Sequence, residues 1–315
     1  MKSRILTVLG MMCIAAMSVQ ASTIAYWRFE EGPDRAQVSH GGLPDGVYYE
    51  GTADSSGNGY GLSVWTEGWA GYQYRSDVGI SYVPRTGQPN QFAVKNTGGY
   101  PTLFTNPDDP IRTITPSAFT IEATFKLENG GWRTIVGRDS RGAFAGNPDL
   151  AALYFQAIPG NGLAIKFCDV SGYWHEAVSA SNIFTGFDWG TNPDGIGVPW
   201  YSMAAVSDGS TLSLYLLQIG AGTGWQLIAQ TNIAASGSPN TALTMGQGSG
   251  SDWIAGTWTV GRGMYAGGHT DRAYGFLDEV RISDAALSVS EFLIPEPASI
   301  VLMGLGAMGL LRRKQ

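Results

Sequence analysis

The chain has 315 residues, of which only 14% are charged and 44 are Gly, a composition that excludes coiled coils, helical bundles and charged disordered chains. Lys2 and Arg4 lie at one end, and Arg312, Arg313 and Lys314 face Glu296 at the other; the 273 residues between Ser22 and Ile294 keep 14 basic and 25 acidic groups, a net charge of −11. A body so acidic excludes general nucleic-acid binding through the phosphate backbone, and its length suits one large β domain or two small ones.

Residues 1–21 read as a secretory signal peptide. Met1-Lys2-Ser3-Arg4 gives a basic start, Ile5–Met17 a 13-residue apolar run too short for a membrane anchor, and Val19-Gln20-Ala21 the small-residue exit before cleavage. Cleavage would remove Cys13 and leave Cys168 without a disulfide partner, as a buried small apolar residue.

The body spans residues 22–294. From Gly32 to Pro116 the strand pattern is broken by Gly, Tyr and Trp. Gly41–Asp77, with Trp65, Trp69 and five Tyr, reads as long ordered loops with short strands. Period-two alternation then dominates: Phe119, Ile121, Ala123 and Phe125; Leu163, Ile165 and Phe167; Leu212, Leu214 and Leu216; Phe276, Asp278, Val280 and Ile282. Loop-rich inserts run over Phe184–Pro199 and Ile233–Asp252, Asp208-Gly209-Ser210 is a hairpin turn, and Ser288–Leu293 is a short helical turn. Short alternating runs bounded by Gly, Asn, Asp or Pro predict an all-β antiparallel sandwich or barrel.

After Ile294 come Pro295-Glu296-Pro297, a 14-residue apolar stretch Ala298–Leu311 with Gly304, Gly306 and Gly309, and Arg312-Arg313-Lys314. As a helix that stretch spans about 21 Å, short of a hydrocarbon core of about 30 Å, and enters a membrane with local thinning and snorkelling of the basic end. The tripartite order of residues 295–315 resembles the PEP-CTERM sorting signal, also carried by some secreted ice-binding proteins. The resemblance implies recognition and cleavage by a membrane-embedded exosortase, transient membrane insertion of the C-terminal helix, and a link to exopolysaccharide or biofilm.

Within the body, Ala25-Tyr26-Trp27-Arg28-Phe29-Glu30-Glu31-Gly32, the loop Asp54-Ser55-Ser56-Gly57-Asn58-Gly59, the hairpin Trp200–Leu216 and the closing Gly275-Phe276-Leu277-Asp278-Glu279-Val280-Arg281-Ile282-Ser283 resemble laminin-G-like, concanavalin A-like domains. The resemblance implies a jelly-roll sandwich of two curved antiparallel sheets with first and last strands adjacent.

Three chemistries follow. Calcium is the expected cofactor: Asp54 and Asn58 supply oxygens in a tight loop, Glu31 and Asp278 lie on strands the fold makes neighbours, and Asp278 stands at an apolar-phase position where an unpaired charge is costly. The competing reading makes Asp54–Asn58 an Asx turn and pairs Asp278 with Arg281 or backbone amides. Catalysis is not expected. Glu122, Asp278 and Glu279 are the acids firmly on predicted strands, and strand geometry would point the neighbours Asp278 and Glu279 to opposite faces. His40, His175 and His269 are scattered without metal-ligand spacing. For ligand binding, Trp65, Trp69, Tyr72 and Trp189 fall in loops and are the candidates to stack on sugar rings, against their packing as a secondary core. The sequence therefore reads as an exported, non-enzymatic carbohydrate-associating or adhesion module of the cell envelope, with extracellular polysaccharide as partner; a glycan-cleaving enzyme and a purely structural envelope component compete with it.

Overall fold

The computed structural model describes residues 22–38, 50–65 and 71–295, without the side chains of Glu50 and Trp65. The first strands are β1 (Thr23–Trp27), β2 (Glu50–Thr52), β3 (Leu62–Trp65), β4 (Tyr72–Arg75), β5 (Tyr82–Val83), β6 (Gln88–Pro89), β7 (Ala93–Asn96) and β8 (Thr102–Thr105). Then come β9 (Phe119–Leu127), β10 (Arg133–Arg138), β11 (Leu153–Ile158), β12 (Gly162–Cys168), β13 (Trp174–Val178), β14 (Tyr201–Ser207), β15 (Thr211–Gln218) and β16 (Gln226–Asn232). The last are β17 (Trp258–Val260), β18 (Gly263–Tyr265), β19 (Gly268–Thr270) and β20 (Gly275–Ser283). Among the described residues the helical elements are three short 3₁₀ turns, one of them Val289–Glu291 within the expected turn, with Ser288 and Glu291 forming a capping box.

Two antiparallel sheets of eight strands make the sandwich. Sheet 1 runs β16-β15-β14-β9-β20-β7-β4, with β1 also paired to β20; sheet 2 runs β13-β12-β11-β10-β17-β8-β3-β2. One edge of β20 lies along β9; the other is shared by β7, opposite Phe276–Leu277, and β1, where Trp27 pairs with Val280. First and last strands are thus neighbours, as expected. The turn between β14 and β15 is also as expected: Asp208 Oδ1 accepts the N–H groups of Ser210 and Thr211, and Gly209 supplies φ +85°.

Inward-facing Phe119, Ile121, Phe125 and Leu127 of β9 meet Phe155 of β11 and Leu163, Ile165 and Phe167 of β12 in one buried core. Phe119 of sheet 1 and Phe167 of sheet 2 join edge to face at 5.3 Å. The aromatic region before Pro116 is more regular than its sequence suggests. It supplies β2, β3 and β8 to sheet 2 and β4 and β7 to sheet 1, while β5 and β6 form a separate hairpin.

A β-bulge corrects the expected phase of β20. Asp278 pairs with Thr124 and Arg281 with Glu122, so β20 carries one residue more than β9 there, and Glu279 adopts φ +49°. Leu277, Val280 and Ile282 therefore face the core, while Asp278 bonds Asn90, Glu279 bonds Tyr26 and Arg281 bonds Glu122 on the outer face. Asp278 and Glu279 end on the same side of the sheet, not on opposite sides.

Candidate ligand-binding face

The residues expected to hold calcium are not brought together. Asp54 Oδ1 accepts from the backbone N–H groups of Tyr26 and Ser56, at 3.0 and 2.9 Å; Oδ2 accepts from the Ser56 hydroxyl and the Tyr60 N–H, at 2.7 and 3.0 Å. Four donors aimed at one carboxylate make this an Asx-type lock, and they occupy the lone pairs a cation needs. Asn58 turns its amide nitrogen to the carbonyls of Thr23 and Ile24, and Glu31 Oε1 accepts from Ala53 N–H at 2.8 Å. Asp54 bridges one edge of β1 at Trp27, whereas β20 occupies the other, so β1 separates Asp278 from this loop. Among the described residues no group of three His, Cys, Asp or Glu is placed to hold a metal. The donor set does not fit Ca²⁺.

Asp278 and Glu279 instead form a buried acid pair. Asp278 is 0% and Glu279 1% exposed. Asp278 Oδ2 accepts from Asn90 Nδ2 at 2.7 Å; Glu279 accepts from the Tyr26 hydroxyl and, at 3.3 Å, from Arg28. Burial, with Glu279 beside it, holds the Asp278 carboxyl well above the usual carboxylate range. Burial also pushes Glu279 up to about 7, against the opposing pull of Tyr26 and Arg28. Glu122 is bound to Arg281 Nε at 2.6 Å and to Leu293 N–H at 2.7 Å. The β5–β6 hairpin and the C-terminal turn close over these groups, where Val83 and Leu293 pack on Tyr26.

Of the four aromatics expected to stack on sugar, the structure describes the side chains of two, Tyr72 and Trp189. Tyr72 opens β4, in a strand and not a loop, and is wholly buried in the core. Trp189 is half-buried, with its ring edge-on to Tyr274 at 5.7 Å and Lys95 Nζ 5.5 Å from its centroid. Trp65 ends β3, and Trp69 lies outside the described residues. Of the sorting motif, Pro295 is the last described residue; Glu296, Pro297, Arg312, Arg313 and the expected C-terminal helix lie beyond it. Among the described residues no helix is long and apolar enough to cross a membrane.

The accessible site lies on the outer face of sheet 2. Antiparallel register puts Tyr154 opposite Lys166, and Lys166 opposite Glu176, in one outward row across β11, β12 and β13; Trp174 stands at the start of β13 opposite Cys168. The β18–β19 hairpin reverses at Ala266-Gly267, both with positive φ, and lies on this face, where the Tyr154 hydroxyl donates to the Met264 carbonyl. Between hairpin and sheet is a pocket of about 400 Å³ lined by Trp132, Tyr154, Gln156, Lys166, Trp174 and Tyr265, with Asp271 at its border. Trp132 is 42% and Tyr265 50% exposed, and Phe144 stacks on Trp174 at 5.9 Å. Lys166 Nζ lies 5.3 Å from the Trp132 ring centroid and 3.3 Å from the Glu176 carboxylate. Flat apolar faces with a few polar groups at their rim suit a ring that is apolar on one face and hydroxylated at its edge. Tyr154, Gln156, Lys166 and Trp174 hold the outward phase of regular strands, where alternation marks a residue as solvent-facing and nothing more. The signal present was a row of large side chains, Tyr154, Lys166 and Trp174, at that phase in consecutive strands, preceded by Trp132 after Gly130-Gly131.

Residues 293–315 match the PEP-CTERM protein-sorting motif, so the chain is exported and sorted to the cell envelope, with exosortase as its processing partner. No curated protein matches the sequence. Among solved structures, the chain is similar to the binding domain of botulinum neurotoxin DC in complex with SialylT, at 11% identity and TM-score 0.44, over 85% of this chain and 48% of that one. It is also similar to the botulinum neurotoxin serotype G binding domain, at 11% identity and TM-score 0.47, over 85% and 49%. A third is the Ruminococcus gnavus IT-sialidase CBM40, at 13% identity and TM-score 0.39, over 58% and 83%. The chain spans about half the length of the two toxin binding domains.

Proposed function

We propose that this protein is a non-catalytic carbohydrate-binding module of the laminin-G-like, concanavalin A-like kind, which holds an extracellular polysaccharide at the outer face of sheet 2. The observation that carries the reading is the pocket itself: Trp132 and Tyr265 are half-exposed beside Trp174, with Gln156 and Lys166 as polar handles. Large aromatics left exposed in a walled pocket lose little hydration when a sugar face covers them. Sorting to the envelope would place that pocket among matrix polysaccharides. Against catalysis, Asp278 and Glu279 share a face but are sealed from solvent, and Glu122 is held by Arg281 and the Leu293 amide, so none of the three reaches a sugar.

The test is a glycan array on the processed protein, followed by calorimetry on the best ligand. Trp132→Ala and Tyr265→Ala should each weaken binding by about tenfold, or ~1.4 kcal/mol, with no new reducing ends released from the ligand. Unchanged affinity in both variants would refute the site, and turnover of the ligand would restore the enzyme reading.

A further inference from the structure

A second cavity, of about 510 Å³, lies over β8 of the same sheet, with Thr257 and Arg262 from either side of β17 in its wall, whereas the Trp132 pocket lies over β11, β12 and β13. The β18–β19 hairpin contributes to both: His269 to one, Tyr265 and Thr270 to the other. The second cavity has an unusual wall. Arg262 grips Asp139 with both terminal nitrogens, at 2.7 and 2.8 Å, and these residues are each 1% exposed. That leaves Arg262 Nε buried without a hydrogen-bond partner among the described residues, and the same holds for Thr257 Oγ1 and His269 Nε2. Buried polar groups are nearly always satisfied, so three open ones around a single cavity point to a ligand that completes them. Trp253 adds an apolar wall.

The charges select among ligands. Asp139 cancels Arg262, and Asp252, with its carboxylate 3.6 Å from His269 Nδ1, adds a negative charge at the rim. Burial, with Arg262 nearby, pushes the His269 imidazole down to about 4, so it is neutral at pH 7. In the other pocket Lys166 is matched by Glu176, and the body as a whole carries a net charge of −11. Neither cavity offers an uncompensated cation to a carboxylate or sulfate, and the field of the body repels both.

We infer that the two cavities are subsites of one groove, and that the ligand is a neutral linear polysaccharide lying across the β18–β19 hairpin, one ring against Trp132 and the hydroxyls of another completing Thr257, Arg262 and His269. The inference rests on the carbohydrate-binding reading and adds ligand length and charge to it. It predicts a dependence on chain length that one pocket cannot give, because a ligand reaching both subsites gains the second contact at high effective concentration.

The experiment measures the processed protein against β-glucan, xylan and mannan oligosaccharides of two and six units, with a six-unit oligouronate as the charged comparison. At least one neutral six-unit ligand should bind about tenfold or more tighter than its two-unit counterpart. Thr257→Val and His269→Ala should each reduce or erase that advantage while leaving two-unit affinity unchanged, which also shows that the variants are folded; Trp132→Ala should weaken both lengths. Equal affinity for both lengths in the parent protein, an advantage that survives both Thr257→Val and His269→Ala, or preference for the oligouronate would overturn the inference and leave the single-pocket reading standing. Binding of none of these sugars would overturn both.

Discussion

Replacing Glu279 with Gln should change how the stability of this protein depends on pH. Glu279 is 1% exposed at the bulge of β20, and burial pushes its carboxyl from an ordinary 4.5 up to about 7. A carboxyl raised in the folded state holds its proton where the unfolded chain has lost it, so the native protein binds more protons between about pH 4.5 and 7. Its contribution is therefore fully present below pH 4.5 and is lost as pH rises to 7. At 1.36 kcal/mol per pH unit, the shift of about 2.5 units corresponds to about 3 kcal/mol across the window. Asp278, raised in the same direction, adds to the trend. Other acids titrate too, so the informative quantity is the difference between parent and variant. Urea unfolding at pH 5, 6, 7 and 8 should show Glu279→Gln gaining about 2–3 kcal/mol on the parent from pH 5 to pH 8, with the gain levelling off above pH 7. A flat difference would show that Glu279 titrates as it does in the unfolded chain, and one that falls with pH that Tyr26 and Arg28 outweigh its burial; either would refute the reasoning.

Three further outcomes follow from named contacts. Asp54→Ala should cost about 3 kcal/mol, because four donors lose a carboxylate acceptor, whereas adding Ca²⁺ or a chelator to the parent should leave Tm unmoved; a rise of several degrees with Ca²⁺ would overturn the assignment of Asp54 as a lock. Cys168 is 0% exposed, and burial, with Asp169 adjacent, pushes its thiol up to about 12, so a chromogenic disulfide reagent should label it only after unfolding; prompt labelling of native protein would contradict that packing. Replacing Glu296, or Arg312 together with Arg313, should leave an unprocessed precursor in the membrane fraction, and normal processing of both variants would show that the match over residues 293–315 does not act as the sorting signal.

The fold was legible where one face of a strand is apolar and the other polar. Alternation puts Ile121 and Phe125, Leu163 and Ile165, and Leu212 and Leu214 each on one face of their strand, and all are in the core. Alternation failed at β20, because a single residue at φ +49° moves every later side chain to the other face and nothing in Asp278-Glu279-Val280 announces it. It also failed at Tyr72, where Gly- and Tyr-rich sequence looked like loop but supplied an edge strand whose aromatic ring fills the core. The proposed ligand face is the least legible. Trp132, Tyr154, Lys166 and Trp174 come from four successive segments of the chain, and only the pairing of β10 with β11, β11 with β12 and β12 with β13 turns them into one surface.

That pairing also explains why the open pocket is on sheet 2. The outer face of sheet 1 carries Lys95, Lys126, Glu122, Arg281, Asp278 and Glu279, all buried, and charges removed from water must be paired. Their partners come from segments laid over the sheet: Asp77 holds Lys126, Asp194 holds Lys95, Asn90 holds Asp278, and the amide of Leu293 holds Glu122. A ligand on that face would have to break these pairs before making any contact of its own. On sheet 2 the β18–β19 hairpin covers Tyr154, which is buried, but leaves Trp132 and Tyr265 42% and 50% exposed, so contact with those two rings would break no buried ion pair. The C-terminal turn packs on the other sheet. Trp225 Nε1 donates to the Ile294 carbonyl at 2.7 Å, and Leu287 and Phe292 pack with Ala204 and Leu217 on the outer face of sheet 1. The chain thus reaches Pro295 on the side of the sandwich opposite the pocket.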